Sequence, residues 1–411
     1  MSQPINSTRL FNASCFALIT TAFSFSIRAG ILPQLGEEFN LTAEQLGFIN
    51  SMFFFGFPIS MVIGGLVYRS VGPKTIMQVA FVSHIIGIVM TIYSGGYTGL
   101  LISTFFIGIG NGCTEAACNP MIADAYTGLK MNKMLNRFHM WFPGGIVVGS
   151  LISKFMTDFG FGWQAQIWVI MIPTLIYVVL FFGQAFPKPA SEAVGSISEN
   201  VKAMFSPLFL FMFVCMAFTA ISEFGPQQWT GLIMSKSGAS PMLILALVTG
   251  LMAVMRFFAA PVVKVLGATG ILWGGSVLAA IGIYLFSTVT GPTAYFAAVI
   301  FALGVGLFWP TMVGFIAQYV PLSGALGMSI IGGVGMLSTS IFQPIIGGWI
   351  DADTAEKAAQ GLSGDELALA AGQATLSTMI AFPAVLIVAF GILYFWMKGR
   401  KVENAAAVAA H

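Results

Sequence analysis

Charge is the scarcest ingredient of this chain. Asp, Glu, Lys and Arg make up 8% of the 411 residues, against 57% hydrophobic ones, where a soluble domain carries roughly 25% charged side chains. So few charges cannot coat an aqueous surface, and a free-standing soluble fold is excluded. Between Val265 and Ile350 there is no charged residue at all, a stretch with room for about three membrane-spanning helices of roughly 20 residues each. A net charge of +2 with scattered basic residues offers no patch for a nucleic acid. Cysteine is also sparse. Cys15, Cys113, Cys118 and Cys215 fall in apolar segments without metal-ligand spacing, so neither a disulfide nor a zinc site is implied and they read as small packing residues. No Gly-x-x-x-x-Gly-Lys-Ser/Thr loop occurs, which disfavours ATP-driven pumping. No hydrolytic constellation is visible, so an enzyme, a cofactor and a metal are not expected.

What is present is apolar sequence punctuated by Gly, Pro and charge. Spans are predicted near 12–36, 46–68, 75–94, 98–125, 136–156 and 164–186, then 204–234, 241–263, 268–289, 293–319, 325–350 and 373–397. The apolar run of the first span exceeds the roughly 7–15 residues of a signal-peptide core, so that span is expected to be retained. The expected organisation is an all-α membrane protein of twelve spans: a six-helix bundle over 1–186, a cytoplasmic linker over 187–203, and a second bundle with a short tail over 204–411. Arg9, Arg69, Lys74, Lys130, Lys133, Arg137, Lys188, Lys202, Lys264, Lys398, Arg400 and Lys401 fall on one side of this plan, which makes that side, with both termini, cytoplasmic.

The two halves echo one another. Gly65 to Lys74, with Arg69, Gly72 and Lys74, is answered by Pro261 to Gly267, with Lys264; Asn119-Pro120 is answered by Trp309-Pro310, and Gly144-Gly145 by Gly332-Gly333. Repeats of this kind place a transporter's substrate site between two bundles at the midplane. Gly65, Gly72 and Lys74 resemble the loop between the second and third helices of the major facilitator superfamily. That family usually has an acid where Arg69 stands, so the latch attributed to the acid does not carry over. Glu115-Ala116-Ala117-Cys118-Asn119-Pro120, Leu135-Asn136 with His139, Gly162-Trp163 and Phe186-Pro187 resemble the fucose and glucose/galactose permeases, a group of proton-linked sugar symporters. The group's acid in the first helix is missing here, where Arg28 is the only charge.

Five ionisable residues lie well inside predicted spans: Arg28, Glu115, His139, Glu223 and Arg256. A charge at the bilayer centre costs about 2.5–3.5 kcal/mol on insertion scales, so each should face a cavity or a partner. Glu115 is the first candidate for proton coupling, because a low-dielectric cavity favours the neutral form of a carboxyl group and lets it exchange a proton; Glu223 is a second. Glu115 is expected either to pair permanently with Arg28 or to release it on protonation. Arg28 could instead hold an anionic substrate, since a guanidinium matches a carboxylate. Glu223-Phe224-Gly225-Pro226-Gln227-Gln228-Trp229 is predicted to be interrupted by its glycine and proline. It offers two amides for hydroxyls and an indole for a sugar face, or else interface anchors. Asn119, Asn136, His139, Trp309 and Gln343 complete the candidate substrate contacts, and Arg256 is either the partner of Glu223 or a tie to a neighbouring helix. Gly65, Arg69, Gly72, Lys74 and Arg256 are candidates for the conformational change.

The leading functional expectation is cation-coupled uptake of a hexose or related sugar, with a proton favoured over sodium, by a monomer in a bacterial inner membrane. The alternative is symport of an organic anion or sugar acid held by Arg28. Less favoured are an exporter of lipophilic compounds and a membrane sensor.

Overall fold

The computed structural model describes residues 5–126, 128–187 and 197–398. Lys188, Arg400 and Lys401 lie outside these residues, as does the side chain of Asn136. In chain order the helices are α1 Ser7–Phe39, α2 Ala43–Ile92, α3 Tyr97–Ala125, α4 Gly128–His139, α5 Trp141–Asp158, α6 Trp163–Phe181, α7 Ile197–Met204, α8 Pro207–Ile233, α9 Pro241–Phe257, α10 Ala259–Phe286, α11 Thr293–Val305, α12 Phe308–Tyr319, α13 Gly324–Ala359, α14 Gly364–Met379 and α15 Ala381–Met397. Among the described residues nine helical stretches are long and apolar enough to cross a membrane. A bend gives α2 two spans, and α9 and the α4–α5 pair bring the number to twelve, in two bundles of six.

The bend falls at Gly72, with φ 76°, and its counterpart in α10 is Gly267, with φ 65°. Only glycine occupies this region without a steric penalty, so the glycines of the sequence echo are the joints of both halves. Three spans expected as single helices are broken, at Met140, Leu307 and Ile380. Each break lies three residues before a proline, Pro143, Pro310 or Pro383, because proline has no N–H for the carbonyl four residues back and its ring crowds that carbonyl. The expected linker is also partly helical, since Ile197–Met204 forms α7.

Arg9 closes the first bundle. Its Nε donates to the Leu180 carbonyl at 2.9 Å and its Nη2 to Val179 at 2.9 Å, so a cation from α1 satisfies the last carbonyls of α6. The bundles meet along α1 with α8, α2 with α13, and α5 with α9. The contact is closest at the end opposite Arg9. There a Cβ on Gly231 would stand 2.2 Å from the Ala29 carbonyl oxygen, and one on Gly47 would stand 2.5 Å from that of Gln343.

Asp351 fastens this end. Helix α2 starts with a capping box, in which Thr42 Oγ1 accepts from the Gln45 N–H at 3.2 Å and the Thr42 N–H donates to Gln45 Oε1 at 3.0 Å. The N–H groups of Ala43 and Glu44 remain, and both donate to the Asp351 carboxylate at 2.9 Å, from the other bundle. A helix N-terminus favours an anion through its free donors and its dipole. Asp351→Ala is therefore expected to weaken the seal by about 1–2 kcal/mol. With a cysteine replacing the buried Leu46, thiol modification by a membrane-impermeant maleimide should speed up about tenfold in that variant.

Candidate functional site

Helix α1 delivers Arg28 to the contact between the bundles, where it is 5% exposed. Its Nη2 donates to Gln228 Oε1 at 3.0 Å, and Gln228 Nε2 donates in turn to the Phe25 carbonyl at 3.3 Å, one turn earlier on α1. The guanidinium carbon sits 3.9 Å from the centroid of the Phe53 ring, a cation–π contact. Among the described residues Arg28 Nε and Nη1 have no hydrogen-bond partner, and no carboxylate lies within ion-pair distance. A buried guanidinium is thus held by one neutral amide and a ring.

Helix α8 runs unbroken through Gly225 and Pro226, contrary to the predicted interruption. It packs against α1, α13, α14 and α15. It presents Glu223, 1% exposed, one turn before Gln227. Glu223 Oε1 lies 3.6 Å from Arg256 Nη2, while Arg256 Nε donates to the Gly306 carbonyl at 3.0 Å. That carbonyl is the one Pro310 leaves without its helical donor, so Arg256 is at once the ion partner of Glu223 and a tie to the next span. Gln227 reaches only Met252 Sδ, at 3.6 Å, and its Oε1 is unpartnered. Trp229 is fully buried with its indole N–H unpartnered. An interface anchor would face the headgroups, so that alternative is corrected: the indole is wholly enclosed by protein.

Gln343 and Asn50 are both fully buried, and both atoms of each amide are unpartnered. Asn50 is one turn along α2 from Gly47, which packs on the Gln343 backbone, so the two amides share the α2–α13 contact. Ser340 Oγ adds a bond to the Ser51 carbonyl at 2.8 Å. Sequence reasoning missed Asn50, although a lone amide in Gly47-Phe48-Ile49-Asn50-Ser51-Met52-Phe53 was its signal.

Phe25, Phe54, Phe142, Phe224 and Trp309 form one aromatic layer from five helices, with neighbouring ring centroids 5.7–6.2 Å apart. By helix direction the layer lies on the Arg9 side of Arg28, Gln228 and Asn50. These polar residues are therefore enclosed between the aromatic layer and the Asp351 seal. A cavity of about 10 Å³ beside Arg28, lined also by Ser24, Thr91 and Thr104, has room for one water.

Other candidates stand apart. Glu115 is half-buried and does not reach Arg28. Asn119, one turn further along α3, donates to its Oε2 at 2.5 Å, because residues four apart share a helix face. The expected Glu115–Arg28 pair is corrected accordingly. His139 is exposed at the end of α4, and Arg69, Lys74 and Gly65 are exposed on α2. Near them Tyr68 donates to Asp124 Oδ2 at 2.9 Å, a contact the sequence reading did not anticipate. His84 bridges Tyr177 and Asn111 at 3.0 and 2.9 Å, a satisfied packing role.

The family model of the Major Facilitator Superfamily matches residues 14–343. A putative niacin/nicotinamide transporter of Bacillus subtilis is 23% identical over 250 residues, covering 58% of this chain and 61% of that protein. A hexuronate transporter of the same organism is 28% identical over 182 residues, covering 43% and 41%. The L-fucose-proton symporter of Escherichia coli is 28% identical over 115 residues, covering 27% and 26%. The matched stretches thus span about 61% or less of these relatives' lengths. The fucose resemblance is one among several. A bacterial homologue of the human lysosomal transporter Spinster, solved inward-facing and occupied, superposes with a TM-score of 0.75 at 16% identity, over 95% of this chain and 97% of that one. The twelve-span arrangement is that of the fold, and with its family model running from the first span into α13, the chain belongs to the Major Facilitator Superfamily.

Proposed function

We propose that the protein is a secondary transporter of a hydroxylated organic anion, of the sugar-acid class, whose carboxylate is bound by Arg28. The observation that carries this reading is the buried guanidinium with no acidic partner. Glu223 is engaged by Arg256, so Arg28 lacks a counter-charge, and a substrate carboxylate supplies one with two charge-assisted hydrogen bonds. The unpartnered amides of Gln343 and Asn50, with the unpartnered Oε1 of Gln227, offer donors and acceptors to hydroxyls. A neutral hexose would use these amides equally well but would leave Arg28 uncompensated, which reverses the order of the two substrates expected from the sequence. The relative named as a hexuronate transporter agrees with this order. Transport follows from rocking of the two bundles about the enclosed polar set, with Glu115 and Glu223 as the carboxylates available for proton coupling. The Lys and Arg distribution makes the Arg9 end cytoplasmic.

The test is uptake into proteoliposomes under an inward proton gradient. Labelled D-glucuronate and D-gluconate are expected to accumulate, each competing with the other, while D-glucose and L-fucose neither accumulate nor compete. Accumulation of a hexose, uninhibited by its own acid, would sink the anion reading.

A further inference from the structure

The bond between Arg28 and Gln228 has a role beyond holding two helices together. A carrier that moves substrate in one net direction must return unloaded. If Arg28 stood bare in the sealed centre, the return step would bury an unpaired charge, which is strongly destabilising. Only the loaded carrier could then reorient, and the protein would be an obligatory exchanger. Gln228 removes that obstacle. It comes from α8, in the opposite bundle, and its carbonyl oxygen accepts from Nη2 at 3.0 Å, as one oxygen of a carboxylate would. Its NH2 is parked on the Phe25 carbonyl at 3.3 Å, which fixes the amide's orientation. Bringing the bundles together is therefore what completes the coordination of Arg28. Because an amide is neutral, its bond to a guanidinium is weaker than a carboxylate's, and a substrate can displace it.

We propose that Gln228 is an internal stand-in for the substrate carboxylate, a positioning residue that lets the unloaded carrier reorient and makes this protein a net transporter. The proposal rests on the anion reading given above. It also makes a substrate-independent statement, that without substrate the Asp351 end closes because Gln228 satisfies Arg28.

Two measurements on the full-length protein test it, with Gln228→Leu and Gln228→Glu as variants. In proteoliposomes loaded with labelled D-glucuronate, efflux into plain buffer reports unloaded return, and efflux into unlabelled D-glucuronate reports exchange. Gln228→Leu is expected to slow net efflux relative to exchange by about a hundredfold or more. Gln228→Glu supplies a permanent carboxylate and should lose both fluxes. The second measurement is made without substrate. Spin labels on cysteines replacing Glu37 and Glu366, exposed at the Asp351 end on opposite bundles, report its closure; the four native cysteines are buried. Short distances are expected in the parent and in Gln228→Glu. Longer ones are expected in Gln228→Leu, reverting when D-glucuronate is added. An unchanged ratio of net efflux to exchange, unchanged distances in Gln228→Leu, or Gln228→Glu behaving like Gln228→Leu would each overturn the stand-in role. If the parent carries no sugar acid, the substrate class fails, and the spin-label distances alone then decide the role of Gln228.

Discussion

Arg28→Gln is expected to abolish sugar-acid transport while leaving the protein as stable as the parent or more so. Losing a buried charge partner for a carboxylate costs about 3–4 kcal/mol of binding, a fall on the order of a hundredfold to a thousandfold in uptake at limiting substrate. The same change removes a guanidinium that sits 5% exposed beside one amide and one aromatic ring. Replacing a poorly compensated buried charge is neutral or stabilising by about 1–4 kcal/mol. A thermal-shift assay in detergent would then show an unchanged or higher midpoint in a protein that no longer transports. Arg28→Lys should not restore transport. An ammonium cannot lie flat on Phe53 or present the same fork of donors. A destabilised Arg28→Gln variant that still transports would show Arg28 to be a structural residue.

Gly231→Val is expected to block the cycle from the other side. A Cβ there would stand 2.2 Å from the Ala29 carbonyl oxygen. Backbone cannot be displaced as a side-chain tip can, so α8 must move away from α1 and the Asp351 end cannot close. Transport should fall to background, about a hundredfold or more, because closure is obligatory in alternating access. Spin labels replacing Glu37 and Glu366 should report long distances with and without substrate. Gly274→Val, where a Cβ would meet no atom within 4 Å, is the matched control and should transport normally. Substantial transport by Gly231→Val would mean that the α1–α8 contact is not part of the cycle.

Much of the fold was legible because the bilayer imposes length and hydropathy on each span. The turn glycines were equally plain: Gly72 and Gly267 both adopt positive φ. The breaks at Met140, Leu307 and Ile380 were missed although their signal was present. Pro143, Pro310 and Pro383 lie inside spans predicted as single helices, and each marks a lost hydrogen bond three residues downstream of a break. In the site, Arg28, Glu223, Gln227, Gln228 and Gln343 could be picked out because polar residues stand out in apolar helices. Their pairing could not. Which partner Arg28 takes depends on how α1 crosses α8, and helical spacing within one chain segment says nothing about that crossing. Glu115 went to Asn119 for the opposite reason, since a partner four residues away is always within reach. Asp351 could not be picked out from sequence, because its function lies in two backbone N–H groups of a helix from the other bundle.

That fastening makes the two faces of the carrier unequal. Asp351 grips the start of α2 from the other bundle, and opening on that side must break both bonds. A ligand arriving from that side binds only the fraction of molecules that are open to it, so its apparent dissociation constant is the intrinsic one divided by that fraction. A ligand reaching the site from the Arg9 side does not have to break that fastening. The same sugar acid would thus show two affinities according to the face from which it is offered, and Asp351→Ala would draw them together without touching a single substrate contact.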